Sequence, residues 1–102
     1  MASYKIQLLE SALSDLHESI SYYNDKKAGL GEEFEEEIFL LIELITKNPF
    51  LFPIKHEELR EAIVRRFPYL VVYAIIEKNV YFVSVFFTKM NPRRKSETKL
   101  GL

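Results

Sequence analysis

Leu70-Val71-Val72-Tyr73-Ala74-Ile75-Ile76 and Val80-Tyr81-Phe82-Val83-Ser84-Val85-Phe86-Phe87 are two short runs dominated by β-branched and aromatic residues. Such side chains fit a pleated, buried surface, so both runs read as strands. Lys78-Asn79 between them reads as a tight hairpin turn, with Asn tolerant of positive φ. Neither run alternates apolar with polar residues, as a strand with one wet face does. The pattern therefore predicts a sheet covered on both faces.

Upstream, Leu59 to Arg65 reads as a third strand and completes an antiparallel meander. Residues 49–59 hold Pro49 and Pro53 with little periodicity, and read as a loop. Before them, Leu30, Phe34, Ile38, Leu41 and Ile45 form one stripe at helical spacing. Glu32, Glu33, Glu36 and Glu43 lie on the other side. Phe39, Leu40, Ile42 and Leu44 widen the apolar surface, so this helix is expected to be buried on more than one side. Asn48-Pro49 ends it, because proline disfavours the helical conformation of the preceding residue.

An earlier helix carries Leu13, Leu16, Ile20 and Tyr23 on its stripe. Ser11 is its expected N-cap, and Asp15 and Glu18 fall where the helix dipole favours negative charge. Asn24 to Gly29 is the turn joining the two into an αα-hairpin. Residues 4–9 read as a short N-terminal strand. The fold class is α+β: an N-terminal strand, an antiparallel αα-hairpin, then a three-stranded antiparallel meander forming one small sheet. An αα-hairpin covers one sheet face. The other is left for a tail, a partner chain or a second copy, because an uncovered apolar face associates.

The 102 residues suit a single domain spanning 1–102, with a polar tail from about residue 91 expected to be flexible. Cysteine is absent, which excludes disulfides, thiolate metal sites and thiol nucleophiles. His17 and His56 are the only histidines, too few for an ordinary zinc site. No Gly-rich phosphate loop or Gly-x-Ser-x-Gly elbow occurs. No metal or cofactor is expected. The N-terminus lacks the apolar stretch of an export signal, and the longest apolar run, Tyr69 to Ile76, is too short to span a bilayer. A cytoplasmic location without membrane contact is the expectation.

Charge is unevenly spread. Residues 1–50 hold four Lys/Arg against ten Asp/Glu, and residues 51–102 hold ten against five. The basic residues bracket the meander: Arg60, Arg65 and Arg66 at its first strand, Lys89, Arg93 and Arg94 after its last. With Tyr73, they form the candidate binding set. Arginines beside tyrosines suit phosphate contact and base stacking. They equally suit an acidic peptide. The Glu32–Glu37 run reads as a solvated helix face.

The chain also resembles a known group. Ala12-x-x-Asp15-Leu16 with Tyr22-Tyr23, then Gly29-Leu30-Gly31 with Phe34, then the stretch from Arg60 to Tyr73, and finally Val85 to Pro92, resemble ParE-like toxins of the RelE/ParE superfamily, known from plasmid stabilisation systems. The resemblance runs nearly end to end, in order and at compatible spacing. It implies a β-α-α-β-β-β domain acting as the toxin of a bacterial type II toxin–antitoxin pair, neutralised by a cognate antitoxin. RelE-like members cleave mRNA in the ribosome, whereas ParE-like members poison DNA gyrase.

RelE-type nucleases carry an Arg two residues before the Val-Tyr of the central strand, where this chain has Leu70. Many relatives have a His near Phe87 and an Arg near Met90. Neither Phe nor Met transfers protons or neutralises phosphate, so the expectation is a non-enzymatic toxin with gyrase as target and no catalytic residues. A ribosome-dependent mRNA endonuclease and an inactive relative serving as an interaction module are the alternatives.

Overall fold

The computed structural model describes residues 4–89. In chain order these are β1 (Lys5–Leu8), α1 (Glu10–Lys26), α2 (Leu30–Lys47), a single 3-10 turn (Pro49–Leu51), β2 (Ile54–His56), β3 (Leu59–Ile63), β4 (Tyr69–Ile76) and β5 (Asn79–Phe87). The strands form one sheet of order β1-β5-β4-β3-β2. β1 runs parallel to β5, and the other neighbours are antiparallel.

The α+β class and the element order follow the sequence reading, with corrections. The sheet has five strands, because the expected loop at 49–59 contains the 3-10 turn and β2. β2 is three exposed residues beside Pro53 and offers no hydrophobic pattern to read. β3 stops at Ile63, and Arg65 and Arg66 lie in the following turn. The hairpin turn is Glu77-Lys78: Ile76 pairs with Asn79, and Glu77 takes the positive φ of 57°.

The two hairpin helices pack on one sheet face. Ala12, Leu16, Phe34, Ile38, Leu41, Ile42 and Ile45 meet Ala62, Val71, Tyr73, Val80, Phe82 and Val85 there. Leu13, expected inside, is exposed, and Ala12 takes the buried place. The helices approach closely where Gly31 crosses α1. A Cβ at Gly31 would lie 2.3 Å from the Ile20 carbonyl oxygen, and its amide donates to Asn24 Oδ1 at 2.8 Å. α2 is buried on one side only, leaving Phe39, Leu40 and Leu44 exposed.

Leu59, Val72, Ala74, Val83 and Phe86 form a separate cluster on the opposite face, with Leu9 and Leu70 against it. No side chain of α1 or α2 belongs to this cluster. The expected open apolar face is nonetheless not an exposed surface. Val72, Ala74 and Val83 at its middle are fully buried. Ile63 and Ile76 are exposed at its rim.

A bulge sets the change of faces in β5. Val72 pairs with Ser84 and Tyr73 with Phe82, leaving Val83 as the extra residue. Val80 and Phe82 therefore face the helices before the bulge, and Val85 and Phe87 after it.

β1 ends at Leu8, and α1 takes over the edge of β5. The Leu9 amide donates to the Phe82 carbonyl at 2.9 Å. Ser11 is not the N-cap: Leu9 holds that position, and Ser11 Oγ donates to the Val83 carbonyl at 2.6 Å. Asp15 Oδ2 accepts from Ser84 Oγ at 2.9 Å and from the Val85 amide at 3.0 Å. A sheet edge that loses its neighbouring strand must find other partners, and these side chains supply them.

Burial pushes the Asp15 carboxyl above its ordinary pKa, the bonds from Val85 and Ser84 oppose that, and Glu18 adds to it. A raised folded-state pKa means stability that is fully present below the unfolded value and lost as pH rises through the folded one. Asp15→Ala is expected to cost about 1–3 kcal/mol by orphaning two donors. Asp15→Asn keeps an acceptor without charge, so it should cost less and flatten the acid-range pH dependence. Urea unfolding of both variants across pH 3.5–7 checks this. Equal losses for Ala and Asn would refute the edge-capping role.

Candidate functional site

The β3–β4 turn and the end of β5 meet at one end of the sheet. Thr88 donates to the Pro68 carbonyl through its amide at 2.8 Å and its hydroxyl at 3.0 Å. This places Lys89 beside the turn that carries Arg65 and Arg66. Arg66 adopts a positive φ of 74°. Its guanidinium reaches Glu33 at 2.8 Å and Glu37 at 3.9 Å on α2. The hydrogen bond from Arg66 holds the Glu33 carboxyl below its ordinary range. Arg65 and Lys89 are exposed and make no ion pair among the described residues.

Aromatic rings underlie this end. Phe34 lies 5.1 Å from Phe67 and 4.8 Å from Tyr69, centroid to centroid. Tyr23 lies 5.0 Å from Phe67, and Tyr69 lies 5.3 Å from Phe87. Burial, with the Tyr69 hydroxyl nearby, pushes the Tyr23 phenol up to about 12. Tyr22 packs edge-on against Tyr23 at 5.1 Å, and Lys26 sits 5.0 Å from the Tyr22 ring centre. Lys26 and Tyr22 thus join this end from outside the expected set. Only the length of α1, which carries Tyr23 as far as Phe67, brings them there.

The remaining expected residues separate from this group. Arg60 lies further down β3, donates to the Phe52 carbonyl at 2.6 Å and stacks 5.2 Å from the Phe50 ring centre. Tyr73 is fully buried and donates its hydroxyl to the Pro49 carbonyl at 2.7 Å. Arg93 and Arg94, with Met90 and the expected tail, fall outside the described residues.

The slot at Leu70 also has a definite environment. Leu70 pairs with Ile63 on one side and Phe86 on the other, so apolar side chains flank it. Glu61 shares its face through pairing with Val72. Phe87 turns to the opposite face and joins the aromatic group. His17 is exposed on α1, and His56 is exposed on β2, 4.0 Å from Glu57. Among the described residues no group of three or more potential ligands is placed to hold a metal ion, and no helix is long and apolar enough to cross a membrane. The arrangement at the sheet end is cations over rings. It can hold carboxylates or phosphates.

A helical hairpin on one face of a five-stranded mixed sheet, with this strand order, is the α+β fold of the RelE/ParE toxins. The sequence pattern of the ParE toxin of the type II toxin–antitoxin system parDE matches residues 6–92, and the chain belongs to that family. It is similar to the chromosomal ParDE toxin–antitoxin system of P. aeruginosa, with a TM-score of 0.77 at 11% identity, covering 87% of this chain and 100% of that one. It is similar also to the isolated E. coli RelE toxin, with a TM-score of 0.64 at 19% identity over 98% and 100% of the two chains. A mutant of E. coli RelE in complex with an antitoxin RelBc peptide matches at a TM-score of 0.56 and 20% identity, over 100% and 99%. No curated protein sequence matches.

Proposed function

We propose that this chain is a toxin that acts by binding rather than by cleavage, that its target is DNA gyrase, and that a cognate antitoxin protein holds it inactive. The observation that carries the reading is the environment of Leu70. An RNA-cleaving relative needs a guanidinium at that slot to neutralise a scissile phosphate. Here the slot is apolar and lies between Ile63 and Phe86. Anionic phosphate is disfavoured on such a surface. Membership of the ParE family supports gyrase as the target, and the exposed cations Arg65 and Lys89, which make no ion pair among the described residues, supply a docking end for an acidic protein segment. The complex of RelE with an antitoxin peptide supports neutralisation by the same kind of partner.

Two parallel assays test this. Purified chain is expected to inhibit supercoiling by gyrase and to leave mRNA intact in a translating extract. The double variant Arg65→Ala/Lys89→Ala should weaken gyrase inhibition while leaving the unfolding midpoint unchanged, because both side chains are exposed. Cleavage of mRNA without gyrase inhibition would replace the reading with the endonuclease one. Inhibition in neither assay would leave an interaction module.

A further inference from the structure

The turn between β3 and β4 carries two neighbouring arginines with different surroundings. Arg65 is exposed and, like Lys26 and Lys89 at the same end, makes no ion pair among the described residues. Arg66 makes two. Its guanidinium lies 2.8 Å from Glu33 and 3.9 Å from Glu37, carboxylates about one helical turn apart on α2. Lys27, between the two helices, also attracts Glu33. The Arg66 φ of 74° lies in the left-handed region, which residues other than glycine rarely adopt. The guanidinium sits 5.3 Å from the Phe67 ring centre, within the aromatic group of this end. A strained backbone residue thus has its charge drawn onto a carboxylate pair of another element, while the other cations of this end are left unpaired.

We infer that Glu33 and Glu37 form an intramolecular latch on Arg66, and that an acidic segment docking at this end takes the guanidinium from them. The inference rests on the reading of the Arg65 and Lys89 end as the place where such a segment docks. The Arg66 side chain is 53% exposed and that of Glu33 48% exposed. An ion pair at that exposure holds weakly, so one carboxylate replaces another at little cost. A segment with a single carboxylate meets Arg65 or Lys89 and leaves the latch closed. A segment with several carboxylates close together reaches Arg66 as well and replaces Glu33 on it, since a guanidinium favours paired oxygen acceptors. Glu33, once displaced, keeps Lys27 as a neighbour, which lowers the cost of opening. The latch therefore sets a threshold of negative charge. It reduces affinity for weakly acidic surfaces more than for strongly acidic ones.

The probe is a fluorescein-labelled peptide of alternating glutamate and alanine, titrated by anisotropy against the full chain. Salt is held at about 0.15 M, where surface charges more than about 8 Å apart are largely screened. Glu33→Gln/Glu37→Gln is expected to bind the probe about threefold tighter or more, the scale of one exposed ion pair. Adding Arg66→Ala should abolish that gain. Glu43→Gln/Glu58→Gln changes net charge by the same amount at exposed positions, one about 15 Å further along α2 and one between β2 and β3, and should gain far less. Glu33→Gln alone, with Glu37 still facing the turn, should show part of the gain and keeps the test open if the double variant unfolds. Circular dichroism melts identify the folded variants. Arg65→Ala/Lys89→Ala reports on the docking reading separately, because it should weaken the probe whether the latch is present or not. Unchanged affinity in that variant overturns the docking reading. The latch is overturned if the glutamine variants bind no tighter than the original, if Glu43→Gln/Glu58→Gln gains as much, or if the gain survives Arg66→Ala. Absence of binding to every folded variant overturns both.

Discussion

Phe34→Ala is expected to remove about 3–5 kcal/mol of folding stability, the usual cost of deleting a buried ring. Phe34 is fully buried and lies 5.3 Å from Tyr23, 5.1 Å from Phe67 and 4.8 Å from Tyr69. It therefore joins α2 to α1, to the β3–β4 turn and to β4 at once. Its three ring neighbours are each held by another ring, so they cannot easily collapse into the space. A domain of this size has about 5–15 kcal/mol in total, so the variant should melt more than about 10 °C lower. Phe34→Leu keeps most of the apolar volume and loses the edge-to-face contacts, and should recover more than half of the loss. Chemical denaturation of the three proteins measures this directly. A loss below about 1 kcal/mol for Phe34→Ala would mean that the aromatic group does not hold the two layers together. Under the proposed gyrase reading, the same variant should lose inhibition only in proportion to its unfolded fraction, since Phe34 reaches no surface.

The parts of this fold that were legible in the sequence are those set by local pattern. β4 and β5 showed as unbroken apolar runs because both of their faces are buried, and the helices showed because Phe34, Ile38, Leu41 and Ile45 recur at helical spacing. The parts that escaped depend on distant partners. Ser11 looks like a helix cap by position, yet its hydroxyl is spent on Val83, 72 residues away. Asp15 looks like a dipole charge, yet it holds the edge of β5. The bulge at Val83 leaves no mark in composition. β2 has no alternation, since all three residues are exposed. Phe39, Leu40 and Leu44 misled in the other direction: apolar residues on a helix were read as buried, and the structure leaves them at the surface.

The candidate site was legible only as a list of cations. Sequence order places Arg60, Arg65 and Arg66 together, but the end of β3 at Ile63 separates them into two environments. Arg66 is neutralised by Glu33 and Glu37, so its contribution to an acidic partner is screened from the start. Arg65 and Lys89 make no ion pair among the described residues, and the link between Thr88 and Pro68 joins them across 24 residues of chain. The electrostatic part of target binding should accordingly follow these two residues and weaken with salt.

Tyr73 separates a core role from a contact role most sharply. It stood in the basic and aromatic set as a ring for stacking, yet the structure buries it completely, 5.8 Å from Phe82, with its hydroxyl on the Pro49 carbonyl. Burial raises its phenol above the ordinary value, with Arg60 and a backbone hydrogen bond at Phe52 opposing. Tyr73→Ala is expected to cost about 3–5 kcal/mol, comparable with Phe34→Ala. Tyr73→Phe removes only the hydroxyl and leaves the Pro49 carbonyl unmet, for about 1–3 kcal/mol. The Pro49 carbonyl begins the 3-10 turn that leads from α2 to β2, so its loss should loosen that connection first, detectable as faster amide exchange at residues 50–56. Well below its melting point, Tyr73→Phe should bind the antitoxin, and the proposed gyrase target, as the original chain does. If the chain inhibits gyrase as proposed, a variant that melts normally yet no longer inhibits it would place the hydroxyl at the target, which a fully buried group tied to Pro49 cannot reach without opening the layer between α2 and the sheet.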